Sequence, residues 1–355
     1  MGGIVLPSQE IVRLRDRGSV YSLNAVSESQ IQPASLDLTI ANQCHRLNAS
    51  FVPEDKSVSE ALSSRSMHHF NFGAEGALLE KGVVYLFPLN EKLNLPKKLS
   101  VRSNPKSSTG RVDLFARLIT DYSSRYDNVS GSNLYLEVLS SSFPFLVKPG
   151  LALNQIRFYE DEGHVSDSEI KKLHKKNPLV LDQNGKAIAL EKLVLQDGLY
   201  LRVDLDMKTV GYRAVRNPIN VIDLTRVKGN KKTDFWEDVH KQGDNRLIMN
   251  PNDFYLLSTK EVLSVPLDYC AEVVAFEADT GELRTHYAGF IDPGFTGNLT
   301  LEARARDAPH ELLDGKRITR IVFHKLKEKA DKAYGTGIKS NYKGQRGPKL
   351  SKIFY

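Results

Sequence analysis

Residues 104–111 gather hydroxyl groups, small side chains and positive charge in one short polar segment. Three consecutive hydroxyl residues begin at Ser107, with Lys106 before them and Arg111 shortly after. Hydroxyls and cations at this spacing can donate several hydrogen bonds to the oxygens of a phosphate group. The segment therefore indicates a phosphate-binding site, and a plain polar turn is the alternative interpretation.

Glu302 stands in an alternating segment, residues 298–302, that predicts a β-strand. On a strand its carboxylate shares a face with Thr300, while Leu299 and Leu301 occupy the opposite face. A carboxylate beside apolar side chains can lose part of its hydration and serve as a general base. The alternative is an ordinary strand glutamate that points into water.

Residues 287–297 contain an Asp-Pro-Gly sequence starting at Asp292, which is typical of a tight turn. Small residues such as Ala288 precede the turn, and Phe290 and Phe295 flank it. This arrangement would let a flat ring approach the backbone, which indicates a nucleobase-binding segment. A simple hairpin would account for the same residues.

Positive charge is concentrated at the carboxyl end of the chain. Residues 316–355 contain twelve lysines or arginines against Glu328 and Asp331, a local net charge of +10 within a chain of net charge +6. Such a tail indicates a local site for a polyanion and argues against a nucleic-acid-binding face. Glycines, lysines and tyrosines in residues 334–348 predict a lid that closes over a ligand, with no part in core packing. A solvated end without a ligand is the alternative.

Several familiar sites are absent from the sequence. It contains no Gly-x-x-x-x-Gly-Lys-Ser/Thr loop for nucleotide phosphates. Cys44 and Cys270 are the only cysteines, too few for a disulfide framework or for the ligands of a zinc-dependent nucleobase deaminase. We therefore expect no zinc cofactor. Neither a membrane span nor a secretory signal is present, so we expect a cytoplasmic protein without membrane or nucleic-acid partners.

An internal duplication is predicted by five segments that recur in the same order, about 159 to 170 residues further on. The matching pairs are 7–14 with 167–173, 34–38 with 201–205, 84–88 with 254–258, 131–137 with 297–302, and 148–158 with 313–323. Each copy has a short helix followed by short alternating strands broken by Gly, Pro, Asn and Asp. We predict a mainly β fold of two tandem units, each a distorted barrel or sandwich with a few short helices.

We place the first unit at residues 1–163, the second at 164–330 and a basic, glycine-rich lid at 331–355. Residues 227–241 are rich in charge and contain the only tryptophan. They are interpreted as an excursion within the second unit, with no role assigned from the sequence.

At these segments the chain resembles the dCTP deaminase family, in its long, internally duplicated form, within the dUTPase-like superfamily. The resemblance rests on Ala-Gly-Phe-Ile-Asp-Pro-Gly-Phe-Thr-Gly at 288–297, Leu-Thr-Leu-Glu at 299–302 and Tyr-x-Gly-Gln-x-Gly at 342–347. It also rests on Lys-Ser-Ser-Thr-Gly-Arg at 106–111, where the family has Arg in place of Lys106. It covers nearly the whole chain and implies dUTPase-like units.

The resemblance implies hydrolytic deamination of dCTP to dUTP and ammonia, in deoxynucleotide metabolism, with dCTP, dUTP or dTTP as small-molecule ligands. It implies that Mg²⁺ accompanies the triphosphate without protein ligands, and that the chain forms a homo-oligomer. The implied catalytic residues are Glu302, Ser107 and Arg111. The implied substrate-binding residues are Lys106, Ser108, Ala288, Asp292, Thr300, Tyr334, Tyr342 and Gln345.

Each copy departs from the family pattern in one half of the site. Residues 276–281 of the second unit are acidic where a phosphate-binding segment is expected, and residues 121–129 of the first unit lack the nucleobase-binding pattern. The first unit keeps only Arg125, Asp127 and Glu137 as a possible second-copy site. Complementary loss predicts one composite site between the units, either within one chain or between chains.

Two other functions remain open at this point. The chain could be a dUTPase, or a bifunctional enzyme that also cleaves the triphosphate to dUMP. It could also be a non-catalytic protein that senses a nucleotide or binds a partner.

Overall fold

The computed structural model of the chain describes residues 3–129, 131–274, 283–285, 288–336 and 341–355. Short β-strands dominate these residues, and the α-helices among them have ten residues or fewer. The strands form two successive units, and the last residues of the chain return to the first unit. The predicted fold class, mainly β in two tandem units, is confirmed.

The first unit contains twelve described strands and three α-helices. The helices are α1 (Ser8–Asp16), α2 (Val58–Leu62) and α3 (Ser107–Gly110), with a 3₁₀ turn at Glu28–Gln30. The strands are β1 (Ile4–Val5), β2 (Val20–Ser22), β3 (Leu36–Thr39), β4 (Gln43–Leu47), β5 (Ser66–Asn71), β6 (Ala77–Leu79), β7 (Val84–Leu93), β8 (Ser100–Pro105), β9 (Leu114–Thr120), β10 (Asn133–Ser140), β11 (Phe145–Val147) and β12 (Ala152–Asp161).

The second unit begins with α4 (Asp167–Lys176), which Ser166 and Glu169 cap reciprocally, and has 3₁₀ turns at Leu190–Lys192 and Lys232–Asp234. Its described strands are β13 (Val180–Leu181), β14 (Val194–Leu195), β15 (Leu199–Arg202), β16 (Gly211–Ala214), β17 (Ile222–Asp223), β18 (Trp236–Val239), β19 (Arg246–Met249), β20 (Phe254–Ser258), β21 (Val262–Ser264), β22 (Tyr269–Val274), β23 (Leu283–Thr285), β24 (Phe290–Ile291), β25 (Thr296–Gly297), β26 (Thr300–Ala305), β27 (His310–Leu313) and β28 (Arg317–Leu326).

The two units repeat one pattern of strand pairing. In the first unit β12 pairs with β3 and β8, and β10 pairs with β7 and β9. In the second unit β28 pairs with β15 and β22, and β26 pairs with β20 and β23. The same antiparallel partners in both units are what a duplication would produce.

One of the predicted sequence matches is wrong in register. Strands β3 and β15 occupy equivalent places beside β12 and β28, so residues 36–39 correspond to 199–202. The match of 34–38 with 201–205 is therefore shifted by four positions. A strand has a period of two, so a shift by an even number of residues preserves the apolar alternation and cannot be detected from that pattern.

The amino-terminal strand β1 joins the units into one sheet. It pairs antiparallel with β12 of the first unit and parallel with β28 of the second. Its residues Ile4 and Val5 are β-branched, which suits a strand with neighbours on both edges. The last strand of the first unit, β12, and the last strand of the second unit, β28, therefore lie on either side of β1.

The end of the chain packs in the core, contrary to the expectation that the tail has no part in core packing. Ile353 and Phe354 belong to the largest hydrophobic cluster of the described residues, which combines the core of the first unit with second-unit residues such as Phe235 and Trp236. The ring of Phe354 lies 5.8 Å from that of Phe235 and 6.1 Å from that of Trp236, measured between centroids. The prediction failed because the apolar group is confined to the last few residues, beyond the polar, glycine-rich stretch that dominated the composition.

Residues 227–241, which had no assigned role, hold this chain end in place. The backbone N–H groups of Lys228 and Gly229 donate to the carbonyls of Lys352 and Ile353, at 3.0 and 2.9 Å. Asn230 and Phe354 form a parallel bridge next to these bonds. The excursion therefore provides a docking edge for the carboxyl terminus.

We expect Phe354→Ala to lower the free energy of unfolding by about 3–5 kcal/mol, because it removes a buried aromatic ring from the core. Tyr355→Ala is the matched control, since Tyr355 is 68% exposed whereas Phe354 is 7% exposed. Urea denaturation of both variants measures the effect. Equal, small losses in the two variants would show that the chain end is not part of the core.

Candidate active site

A cavity of about 280 Å³ lies where the two units and the tail meet. Its lining combines residues that are far apart in the sequence. They include Asp37, Lys106, Ser107, Ser108 and Arg111 from the first unit, Ala288, Asp292, Phe295, Leu299 and Thr300 from the second, and Tyr334, Tyr342, Gln345 and Lys352 from the tail. Most of the predicted site residues therefore converge at one place, within one chain.

Arg111 is buried at the junction between the first unit and the tail. Its guanidinium donates to Ser107 Oγ at 3.2 Å, to the carbonyl oxygen of Lys349 at 2.7 Å and to Gln345 Oε1 at 3.1 Å. It also lies 3.7 Å from the centroid of the Tyr342 ring, as a cation–π contact. Burial lowers the pKa of Arg111 from its usual value, but a guanidinium in a protein remains charged.

Glu302 reaches the cavity region from strand β26, where it pairs with Leu256 of β20 and is 2% exposed. The backbone N–H of Ala288 donates to Glu302 Oε2 at 3.2 Å. Gly110 lies directly against this carboxylate, because a Cβ atom on Gly110 would collide with both carboxylate oxygens. Glu302, the predicted general base in the second unit, therefore touches the predicted phosphate-binding segment of the first unit.

A buried ion pair lies beside this contact. Arg304, two residues after Glu302, pairs with Asp113, two residues after Arg111. The Asp113 carboxylate also accepts from Ser142 Oγ at 2.5 Å. Removing one partner of a buried ion pair leaves an uncompensated charge, so this pair holds the two segments that carry Arg111 and Glu302 in a defined register.

Asp292 is held by an arginine that the sequence analysis missed. Arg157 of β12 is fully buried and donates to the carbonyl oxygens of Ala271 at 2.8 Å and Ile291 at 2.9 Å, and to Asp292 at 3.5 Å. Its guanidinium also lies 4.2 Å from the Phe290 ring centroid. Burial raises the pKa of Asp292, although Arg157 opposes the shift. The available signal was a charged residue placed directly between Ile156 and Phe158.

Lys106 forms an ion pair with Asp37 at the cavity wall. Burial raises the pKa of the Asp37 carboxyl, and the lysine lowers it. Asp37 was not predicted as a site residue, because nothing in the local sequence connects it with a lysine 69 positions later. The ammonium group of Lys106 thus stands in the cavity beside one carboxylate.

The tail closes the cavity through Gln345. The Gln345 amide donates to the carbonyl of Asn298, and to Thr300 Oγ1 at 3.4 Å, while its side-chain oxygen accepts from Arg111. The residue is 4% exposed. Tyr334 also faces the cavity, with its ring 5.6 Å from that of Phe295. Gln345 and Tyr334, two residues of the predicted lid, are therefore in contact with the second unit.

The residues of the possible second-copy site do not converge. Glu137 is buried and ion-paired with Arg117, whose guanidinium lies 4.1 Å from the Tyr126 ring centroid. Arg125 is exposed, and the Asp127 carboxylate accepts from Ser103 Oγ and from the backbone N–H of Leu118. Hydrophobic residues of the segment around α2 pack on the same side of the sheet, namely Phe51, Val58, Ala61 and Leu62. The first-unit glutamate is therefore enclosed in a structural ion pair.

Two sequence observations fall outside the described residues, the acidic segment 276–281 and Tyr287. Among the described residues, no group of three or more His, Cys, Asp or Glu side chains could hold a metal ion. Cys44 and Cys270 are both buried, and burial raises the pKa of these thiols to about 12 and about 11. In the part of the chain that the structure describes, no helix is long and apolar enough to span a membrane.

Two family models match this chain end to end. The amino-terminal domain model of 2′-deoxycytidine 5′-triphosphate deaminase matches residues 2–162, and the carboxy-terminal domain model matches residues 166–354. A crystal structure of 2′-deoxycytidine 5′-triphosphate deaminase from Agrobacterium tumefaciens is similar over 93% of this chain and all of its own, with a TM-score of 0.85 and 34% identity.

Curated relatives match one part of the chain. The "dCTP deaminase, dUMP-forming" of Methanosphaera stadtmanae is 32% identical over 195 residues, which cover 53% of this chain and 93% of the relative. The protein of the same description from Streptomyces griseus is 38% identical over 129 residues, or 35% of this chain and 67% of the relative. The dCTP deaminase of Haloarcula marismortui is 38% identical over 125 residues, which cover 34% of this chain and 64% of the relative.

The pH dependence of stability tests the structural role of Asp127. Burial raises the pKa of its carboxyl to about 6, above the value of about 3.9 in an unfolded chain. The folded chain therefore binds an extra proton between these values. Asp127 adds stability as the pH falls from about 6 to about 4, and this contribution is lost as the pH rises through 6.

Asp127→Asn keeps an acceptor oxygen for Ser103 and Leu118 but does not titrate. When the pH is lowered from about 7 to about 4, we expect the unfolding free energy of the wild type to rise relative to that of Asp127→Asn by on the order of 2–3 kcal/mol. Urea denaturation at both pH values measures it, with the exposed Asp55→Asn as the control for loss of a charge. A difference that does not change with pH would contradict the assignment.

Proposed function

This chain belongs to the dCTP deaminase family, and from that premise we propose that it hydrolyses dCTP to dUTP and ammonia. The observation that carries the proposal is the contact between Glu302 and the segment that contains Ser107 and Arg111. It puts a buried carboxylate beside a hydroxyl and a guanidinium that line a cavity large enough for part of a nucleotide.

In the proposed reaction Glu302 accepts a proton from a water molecule as the water oxygen attacks C4 of cytosine. The proton passes to N3, and a second transfer moves the proton of the new hydroxyl group on C4 to the amino group on C4. The bond between C4 and the amino nitrogen then breaks as the C4 carbonyl forms, so that ammonia leaves and uracil remains. The N–H of Ala288 donates to the carboxylate from the second-unit side, which restricts its rotation.

Ser107 and Arg111 are proposed to position the water and to stabilise the negative charge that develops on its oxygen as that oxygen becomes bound to C4. Ser107 Oγ accepts a hydrogen bond from Arg111 Nε, and a serine hydroxyl that accepts can still donate its own hydrogen. Donors fixed before the reaction stabilise a transition state without reorganisation. Arg111 is fixed by four contacts, to Ser107, Lys349, Gln345 and the Tyr342 ring.

The remaining predicted residues line the same cavity, and their roles follow the family resemblance. We propose that Ala288, Asp292 and Thr300 contact the base and sugar, and that Lys106 and Ser108 contact the phosphates. We further propose that Mg²⁺ enters as part of the substrate, held by the triphosphate oxygens.

A second candidate is a bifunctional reaction that also releases pyrophosphate to give dUMP. It is supported by the description "dUMP-forming" that the Methanosphaera and Streptomyces relatives carry. Incubation of the purified protein with dCTP, followed by separation of dUTP, dUMP and ammonia, distinguishes the two reactions. Binding without any product would favour a nucleotide-sensing protein instead.

We expect Glu302→Gln to lower kcat for dCTP by about 10²–10⁴-fold, because it removes the proton acceptor while its shape is preserved. Binding of dCTP should persist, which calorimetry can measure. Glu137→Gln is the matched control at the equivalent strand position. It should cost stability, because it breaks the buried pair with Arg117, yet kcat per folded chain should stay near the wild-type value. A folded but inactive Glu137→Gln variant would reverse the two roles.

Mixing two inactive variants tests whether one chain holds the whole site. We expect Arg111→Ala and Glu302→Gln each to be inactive, and a mixture of the two to remain inactive after subunit exchange. The reason is that Gly110 and the Glu302 carboxylate are already in contact within a single chain. Mass spectrometry of differently labelled chains verifies exchange. Recovered activity would place the two halves of a site on different chains.

A further inference from the structure

Lys352 lines the cavity from the very end of the chain, where the sequence analysis assigned no site residue. Its two neighbours in sequence are buried, Ser351 at 2% exposure and Ile353 at 3%. The side chain between them is only partly buried and faces the cavity wall formed by Lys106 and Ser108. Lys352 is therefore a cation carried by a segment of the core and directed into the site.

Three hydrogen bonds fix the backbone around Lys352. Ser351 Oγ donates to the carbonyl oxygen of Ser108 at 3.0 Å, which ties the chain end to the predicted phosphate-binding segment. The N–H of Lys352 donates to the Tyr342 hydroxyl at 3.2 Å, and its carbonyl accepts from the N–H of Lys228 at 3.0 Å. A cation at such a position loses little further backbone entropy when it binds a ligand.

The charges at this end of the cavity do not balance. Lys106 is already paired with Asp37. Burial lowers the pKa of Lys352, and the residue is close enough to both for Lys106 to lower that pKa further and for Asp37 to raise it. Arg111, in the same lining, has the Glu302 carboxylate near enough to raise its pKa. An anion that entered beside Lys106 and Lys352 would supply the missing negative charge.

We propose that Lys352 is a phosphate-binding residue of the nucleotide site, contributed by the chain terminus and held in place by residues 228–232. The proposal rests on the proposed function and extends it, because it names which residue completes the phosphate-binding end. It also gives the excursion of the second unit a part in substrate binding. The docking edge at Lys228 and Gly229 binds the backbone carbonyls of Lys352 and Ile353, so it fixes the segment that carries the Lys352 side chain.

The test compares dCTP with deoxycytidine, which lacks phosphate, as ligands of the same protein. All binding is measured by calorimetry in the Glu302→Gln background, so that dCTP is not consumed. In that background we expect Lys352→Gln to weaken dCTP binding about 10- to 100-fold, the loss of one charge-assisted contact. Deoxycytidine binding should stay unchanged, and Lys352→Arg should restore most of the dCTP affinity.

Lys343→Gln is the matched control, since it removes the same charge from the same tail. The Lys343 side chain is exposed and its ammonium contacts Thr336 Oγ1 at 3.0 Å, away from the cavity lining. Its effect on dCTP binding should be less than threefold, as expected for a distant, screened charge.

The possible outcomes separate this inference from the proposed function. If the Glu302→Gln parent fails to bind dCTP, the proposed function falls and the inference falls with it. If the parent binds dCTP but Lys352→Gln binds it equally well, only the assignment of Lys352 is overturned. An equal loss for dCTP and deoxycytidine would also overturn it, because it would show that Lys352 supports the fold of the cavity and not a phosphate contact.

Discussion

The site depends on how closely the backbone at Gly110 approaches the carboxylate of Glu302. No side chain fits between them, so a residue other than glycine at position 110 would displace the Glu302 carboxylate from this place. Because the contact is made between backbone and carboxylate, it brings Ser107 and Arg111 next to the proposed general base.

Buried charges maintain that distance. Arg157 of the first unit forms an ion pair with Asp292 of the second unit and donates to two backbone carbonyls there. Arg304 of the second unit forms an ion pair with Asp113 of the first unit and also donates to the carbonyl of Asn252. A desolvated guanidinium is costly unless its partners are in place, so a sliding motion between the units would leave charges without partners. The interface is therefore specific in register, which an apolar interface of similar area would not guarantee.

Duplication has let the two copies of one strand diverge. Glu302 and Glu137 occupy equivalent places on β26 and β10, opposite Leu256 and Leu86. The carboxylate of Glu302 faces a glycine of the other unit, whereas that of Glu137 is neutralised by Arg117 and covered by the segment around α2. The same residue at the same strand position is thus part of a proposed active site in one copy and part of the core in the other.

The amino-acid sequence by itself determined the mainly β fold, the duplication and the separation of the two half-sites. These features depend on local signals: a period of two along strands, turn residues at fixed places, and motifs of six to fifteen residues. The candidate residues Ser107, Arg111, Glu302 and Gln345 were predicted in this way, and the structure gathers them around one cavity.

Only the tertiary structure decided that both half-sites meet within one chain, that Arg157 and Asp37 support the site, and that the chain end is core. Each of these depends on contacts between residues far apart in the sequence, such as Arg157 with Ile291 or Ser351 with Ser108. Local composition carries no information about such partners. A lysine in a polar tail and a lysine in a phosphate site have the same sequence surroundings, and what distinguishes Lys352 is the packing of Ile353 and Phe354 that directs it inward.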